Sequence, residues 1–192
     1  MKKILIFTIA LFSFALGNAQ VTLYIDAAHG GKDAGAIAGD GSKESALTLQ
    51  FAQVLSEKAK MQNIHVVMIR EKDEFVQLTD RSIKTDNTNQ AYFVSIHMNS
   101  SNDKTKQGTT IIMQKGNQLD GTILLGRKMM HNFNQIGIVN IEQLNLEVLR
   151  NNTIPSVVVS PGYVSNESDL AKLKSTTYQE QVAATILKAI LE

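Results

Sequence analysis

The sequence predicts a single α/β domain built on a twisted, mostly parallel sheet of about six strands flanked by helices. Three observations carry this. Apolar, β-branched runs of strand length alternate with helical stripes along the chain. The first two runs are separated by a helix, and a strand, helix, strand order makes a parallel crossover. Two of the runs end abruptly in a histidine, at the carboxyl edge where open α/β sheets bind ligands.

Val21 to Ile25 is a buried strand that delivers His29 through a glycine-rich turn. Leu47, Phe51, Val54 and Leu55 fall at i, i+4, i+7 and i+8, so Ser45 to Lys60 is a helix with one apolar face and Glu44 in its first turn. Ile64 to Ile69 is the second strand, and a polar helix is expected over Leu78 to Thr88. Tyr92 to Ile96 is a third strand, with His97 at its end as His29 follows the first. Thr109 to Gln114 reads as a strand, and Leu125, Met129, Phe133 and Ile136 as the stripe of a helix that stops at Gly137. Asn145 to Leu149 and Ser156 to Ser160 are expected to be two further strands, and Val182, Ile186 and Ile190 mark a closing helix. No internal repeat or low-complexity tract interrupts this order.

The first nineteen residues combine Lys2 and Lys3 with an apolar stretch from Ile4 to Leu16 and a small-x-small ending at Ala19, the pattern of a secretory signal peptide. The stretch falls short of the roughly 20 residues that span a bilayer. Cleavage after Ala19 leaves residues 20–192 as one exported domain, with the periplasm preferred over the medium in the absence of an added wall-binding module. Of 19 basic residues Lys2 and Lys3 leave with the signal, so 17 face 18 acidic ones. That near-neutral balance argues against nucleic acid or an anionic membrane as the main partner. The chain has no cysteine, which excludes disulfides, a thiolate ligand and lipid attachment at cysteine, so no stable membrane anchor is expected.

Any metal must then take nitrogen and oxygen ligands. His29 lies among glycines that let the backbone turn sharply, His97 follows a purely apolar strand, and Glu44 opens the helix between them. Two imidazoles and one carboxylate from three elements form a ligand set that leaves a zinc position open. His65 and His131 lie outside any motif and read as surface or hydrogen-bonded residues. The Gly30-Gly31-Lys32-Asp33 turn lacks the Gly-Lys-Ser/Thr of a phosphate loop, and Glu44 would repel a phosphate there.

These residues resemble the zinc-dependent N-acetylmuramoyl-L-alanine amidases, whose catalytic domain begins with Asp-x-Gly-His-Gly-Gly. The resemblance runs through Ile25 to Ala36, Glu44, Arg70, Arg81, Ser95-Ile96-His97-Met98-Asn99, Val148-Leu149-Arg150 and Pro155 to Asn166. It implies that His29, Glu44 and His97 hold Zn²⁺, and that the substrate is the amide between N-acetylmuramic acid and L-alanine in peptidoglycan. Asn99 is the candidate for orienting a ligand or the substrate; for Arg70 and Arg81 a structural role is preferred. Some regulated members carry a helical insertion over the site, for which Asn99 to Val148 leaves no room.

The chain departs from the family at two places. Ala28 replaces a usual glycine. Ser160, in Val159-Ser160-Pro161-Gly162-Tyr163, stands where the family has the glutamate that relays the proton. Glu142, Glu147, Glu167 and Asp169 are the nearby carboxylates that could substitute for it, and nothing in the sequence directs any of them at the metal, so substitution is not expected. Two functions therefore stay open: an amidase of reduced activity, or a catalytically silent protein that binds zinc and peptidoglycan fragments. A protein activator is left unassigned.

Overall fold

The computed structural model describes residues 20–85, 90–116 and 120–192, so the expected signal segment lies outside the described residues. Six strands, β1 (Thr22–Ala27), β2 (His65–Met68), β3 (Ala91–Ile96), β4 (Thr109–Gln114), β5 (Val139–Leu144) and β6 (Ser156–Ser160), form one sheet in the order β2-β1-β3-β6-β4-β5. Four pairings are parallel, and only β4 with β6 is antiparallel. Helices α1 (Glu44–Met61), α2 (Asp120–Phe133), α3 (Glu147–Arg150), α4 (Glu167–Leu173) and α5 (Thr176–Leu191) complete the domain. The α/β fold and its mostly parallel sheet are as the sequence predicts. No helix of the described residues is long and apolar enough to cross a membrane.

Strand alternation sends side chains to two different cores. Leu23, Ile25, Val94, Ile96, Val157 and Val159 meet Phe51, Leu55, Leu125, Met129, Phe133, Val182 and Ile186 of α1, α2 and α5. On the opposite face Phe93, Ile112 and Val158 pack with Val148, Leu149 and Ile154. That face also carries the polar residues Asp26 and Ser95, because they alternate with Ile25 and with Val94 and Ile96.

Two expected elements are corrected. Asn145 to Leu149 is not a strand: the strand is Val139–Leu144, and Glu147–Arg150 is a helical turn. β5 is an edge strand exposed along most of its length, so its pattern lacks the apolar weight of the inner strands. Val148 and Leu149 are apolar because α3 buries both. The expected helix from Leu78 to Thr88 is a 3₁₀ turn, Leu78–Arg81, after which Ser82 is extended; positions 86–88 of that expectation lie outside the described residues. The turn stops where the Arg81 side chain is drawn beneath the sheet edge.

That arginine and Arg70 fix the exit of β1. Arg70 donates through Nε to Ala27 O at 2.7 Å and through Nη2 to Ala28 O at 3.0 Å and Ser45 O at 2.8 Å. Arg81 donates to Ala27 O at 2.9 Å and His29 O at 2.8 Å, and its Nη1 pairs with Asp26 Oδ1 at 2.5 Å. Ser95 Oγ donates to the other Asp26 oxygen at 2.7 Å. Three successive carbonyls are thus held while His29 adopts the left-handed φ of 61° that disfavours a side chain. Gly30, with φ 123°, must be glycine: a Cβ there would lie 2.2 Å from Glu74 O. The structural reading of both arginines is borne out by these contacts.

Two stability outcomes follow. Phe51→Ala, which empties a site 1% exposed beneath Tyr178, lowers stability by about 3–5 kcal/mol in urea unfolding. Arg81→Ala costs about 3–5 kcal/mol because Asp26 loses its buried partner, whereas Lys72→Ala, on the surface, changes stability by less than about 0.5 kcal/mol.

Candidate metal centre

The three predicted ligands come from three elements and converge. His29 follows β1, Glu44 begins α1 and His97 follows β3, and one donor atom from each lies within 4.8 Å of the others. The register explains the meeting: β1 and β3 are adjacent and in step, with Ala27 beside Ile96, so their exits emerge together. Glu44 Oε1 stands 3.2 Å from both His29 Nε2 and His97 Nδ1. The two rings meet edge to face, with centroids 5.3 Å apart.

The Glu44 carboxylate is fixed before any ligand arrives. Its Oε1 accepts from Met98 N at 2.9 Å and its Oε2 from Ala36 N at 2.9 Å. Burial alone would raise its pKa, but the hydrogen bonds from His29, His97 and these two amides prevail and hold it well below the ordinary carboxylate value. The His29 imidazole is shifted above its ordinary 6.5, chiefly by its hydrogen bond to Glu44, with burial opposing and Asp33 adding to the rise. Asp33 Oδ2 lies 2.9 Å from His29 Nδ1, which orients the ring and turns Nε2 toward the cluster. Gly35 closes the cradle, since a Cβ at that position would lie 2.6 Å from His29 Cδ2 and 2.7 Å from Glu44 Oε2. Two imidazole nitrogens and a preorganised carboxylate are a donor set that suits a zinc ion.

Beside the cluster lies a cavity of about 320 Å³ walled by Ala28, Phe75, Val76, Leu78 and Val148, with His29, His97, Asp33, Asp26 and Arg81 at its polar end. Ala28 fits without strain because the left-handed backbone is taken up by His29 and Gly30. Lys32 sits over the Phe75 ring at 4.3 Å. Sequence reasoning missed Asp33 and Phe75. Asp33 stands four residues after His29 across two glycines, a spacing that marks a carboxylate folded back on the ring. Phe75 is a lone aromatic in the polar run Glu71 to Gln77, which was its signal.

The other predicted residues sit nearby in different roles. Asn99 Nδ2 donates to Thr110 Oγ1 at 2.7 Å, and its main chain bonds to Gly162 O and Val164 N, joining the exits of β3 and β6. Ser160 ends β6, is 1% exposed and pairs with Thr110; the register that sets Ile96 beside Val159 puts Ser160 next to His97. None of the four carboxylates considered as substitutes lines the cavity. Glu142 lies on the exposed edge strand, Glu147 pairs with Arg150 at 2.6 Å, and Glu167 begins α4. Asp169 is buried, accepting from Gly108 N at 2.8 Å and Tyr163 N at 3.0 Å. Between Asn99 and Val148 the described residues hold β4, α2, β5 and the start of α3, with no inserted helix over the site.

Comparisons with known proteins agree with the fold. The family model for N-acetylmuramoyl-L-alanine amidases matches residues 23–192. An uncharacterized protein of Bacillus subtilis, YqiI, is 30% identical over 88% of this chain and 82% of its own length. AmiB of Haemophilus influenzae, a probable N-acetylmuramoyl-L-alanine amidase, is 27% identical over 98% of this chain, which spans only 56% of AmiB. The crystal structure of an N-acetylmuramoyl-L-alanine amidase from Clostridium difficile 630 superposes with a TM-score of 0.82 at 29% identity, covering 90% of this chain and 95% of that one. By sequence over nearly its whole described length, and by fold, the chain belongs to the N-acetylmuramoyl-L-alanine amidase family.

Proposed function

We propose that this protein is a zinc-dependent hydrolase of the bacterial cell wall, cutting the amide between N-acetylmuramic acid and L-alanine, and that Ser160 makes it a slow one. The observation that carries the reading is the convergence of His29, Glu44 and His97 at one sheet edge. Lys2, Lys3 and the apolar run to Leu16 support export, and the wall substrate favours the periplasm.

Zinc, when bound, supplies Lewis-acid chemistry, polarising the amide carbonyl and activating water. The chain's own residues do the rest. Asp33 keeps His29 in the orientation that presents Nε2, and the two amides on Glu44 keep it charged. The apolar walls beside the histidines exclude bulk water from the reacting end of the substrate. Asn99 is the candidate for holding substrate, since its Oδ1 has no partner among the described residues while Nδ2 is fixed on Thr110. Ser160 offers a neutral hydroxyl beside His97, able to hydrogen-bond but not to take a proton near neutral pH. Loss of a general base costs roughly 10²–10⁴-fold in rate. The same residue favours a second reading, a silent protein that keeps the pocket to bind wall fragments.

Defined muropeptides with added zinc separate the two. Slow release of stem peptide by the unmodified protein, abolished in His97→Ala and raised roughly 10²-fold or more in a folded Ser160→Glu variant, is the expected outcome. Release by Ser160→Glu alone selects the binding protein, and unchanged hydrolysis in His97→Ala rejects zinc catalysis.

Acidity gives an independent check. With zinc absent, the raised pKa of His29 contributes stability that is complete below the ordinary imidazole value of 6.5 and is lost as pH rises through the folded value. The lowered pKa of Glu44 contributes above its ordinary 4.5 and is lost as pH falls through the folded value. In a chelator the cluster therefore stabilises the fold most between pH 4.5 and 6.5. With saturating zinc the trend above pH 6.5 reverses, since the ion requires neutral imidazoles. Thermal melts with and without chelator read both trends.

A further inference from the structure

The sheet has one long free edge, and it is β5. Among the described residues no strand pairs with its outer side. The other edge strand, β2, is four residues long and runs on into Arg70, Glu71 and Lys72. Sheets usually guard a long free edge with lysine, proline or a bulge. β5 has none of these: its six residues stay in register with β4 throughout, and between Asn134 and Leu146 there is no proline and Glu142 is the only charge. Ile138, Ile141 and Leu144 are nonetheless 57%, 38% and 40% exposed.

The main chain sets which strand fits this edge. Thr109 N donates to Ile138 O and Lys115 N to Leu144 O, so the even-numbered residues of β5 turn their N–H and C=O groups toward β4. Val139, Ile141 and Gln143 therefore point theirs outward. An antiparallel copy of β5, related by a two-fold axis through Ile141, meets every one of these groups. Ile141 exchanges both hydrogen bonds with its own counterpart, and Val139 exchanges both with Gln143 of the second copy. The side chains agree with the same axis. Ile138 falls opposite Leu144, Ile141 opposite Ile141, and Asn140 opposite Glu142, so each carboxylate faces an amide rather than the other carboxylate. An axis through Asn140 or Glu142 turns the wrong main-chain groups to the seam, and one through Val139 or Gln143 shortens it.

We infer that β5 is a dimerisation edge, which takes the β5 of a second copy of this chain in an antiparallel seam centred on Ile141. The occupant is a second copy because the strand satisfies itself in main-chain bonds, apolar contacts and charge. Pairing joins the two six-stranded sheets into one continuous sheet. The seam is antiparallel, so the edges that carry His29, Glu44 and His97 face opposite ways in the two copies. At about 4.8 Å per strand, β3 and its counterpart lie roughly 34 Å apart across the dimer. Each copy keeps its whole cluster, and the interface stands independently of zinc and of hydrolysis.

Sedimentation equilibrium of the purified protein, from low to high micromolar concentration, tests this, since a seam of this size is a weak interface. The mass is expected to rise from one chain toward two. It stays at one chain in Ile141→Lys, which sets two ammonium groups against each other at the axis. It does so too in Gln143→Pro, which removes an outward N–H and leaves the pairing to β4 in place. Circular dichroism checks that both variants are folded. The chain has no cysteine, so single cysteines report the register under mild oxidation. Ile141→Cys is expected to give a disulfide-linked dimer, with Cα atoms about 5.5 Å apart, and Gln143→Cys none, with its pair roughly 14 Å apart. A single-chain mass at every concentration, a dimer that survives both Ile141→Lys and Gln143→Pro, or a disulfide at position 143 in preference to 141 overturns the assignment. If the mass is that of one chain, hydrogen exchange at Val139, Ile141 and Gln143 shows what replaces it: protected amides mean that another segment of this chain covers β5, and unprotected ones that the edge is left to a strand from a different protein.

Discussion

Three main-chain carbonyls at the end of β1 accept hydrogen bonds from two buried guanidiniums, and the rest of the site is built on that constraint. Ala27, Ala28 and His29 leave the sheet with no strand partner beyond Ile96, and Arg70 and Arg81 supply the donors that the ladder no longer provides. A buried cation is costly unless its hydrogen bonds are met. Here Arg70 spends its donors on α1, the β2 exit and the turn, while Arg81 binds Asp26, the turn and Val76 O. Their placement lets a histidine occupy a left-handed backbone position without a compensating glycine. The first member of the cluster, His29, is thus positioned by its backbone before its ring makes any contact.

Glu44 performs the equivalent service for the side chains. One carboxylate faces two imidazoles and two amides, so its charge is stabilised from four directions although it is 4% exposed. Such a group is costly to bury and cannot relax far, which preorganises it for a cation. The cluster holds together with a serine at position 160, where the family resemblance expects a carboxylate. Ser160 is packed between His97 and Thr110 at a strand end, where its hydroxyl imposes no charge and the ligands do not depend on it. The convergence of His29, Glu44 and His97 is therefore independent of the residue at position 160.

Much of this was legible from residues. The inner strands are buried on both faces, so their β-branched runs were plain, and the α1 stripe with Glu44 at its head located the third member of the cluster. The edge was harder. β5 is solvated along its outer side and shares its polar composition with loops, while the apolar Val148 and Leu149 beside it belong to a helical turn. The Leu78 turn has a helical periodicity that loses to Arg81's pull toward Asp26, an interaction across 55 residues that no local pattern contains. The same holds for the pairing of β4 with β6 in opposite directions, a contact between strands that α2, β5 and α3 separate in sequence. Asp33 and Phe75 join the site through turns whose closure depends on the arginines.

The most direct test of the account is zinc content and zinc-edge X-ray absorption on the purified protein, unmodified and with His97→Ala. One zinc per chain, with two imidazoles and a carboxylate among its ligands and one imidazole lost in the variant, is what the converging donors predict. A chain that takes up no zinc, or a spectrum that His97→Ala leaves unchanged, would contradict it.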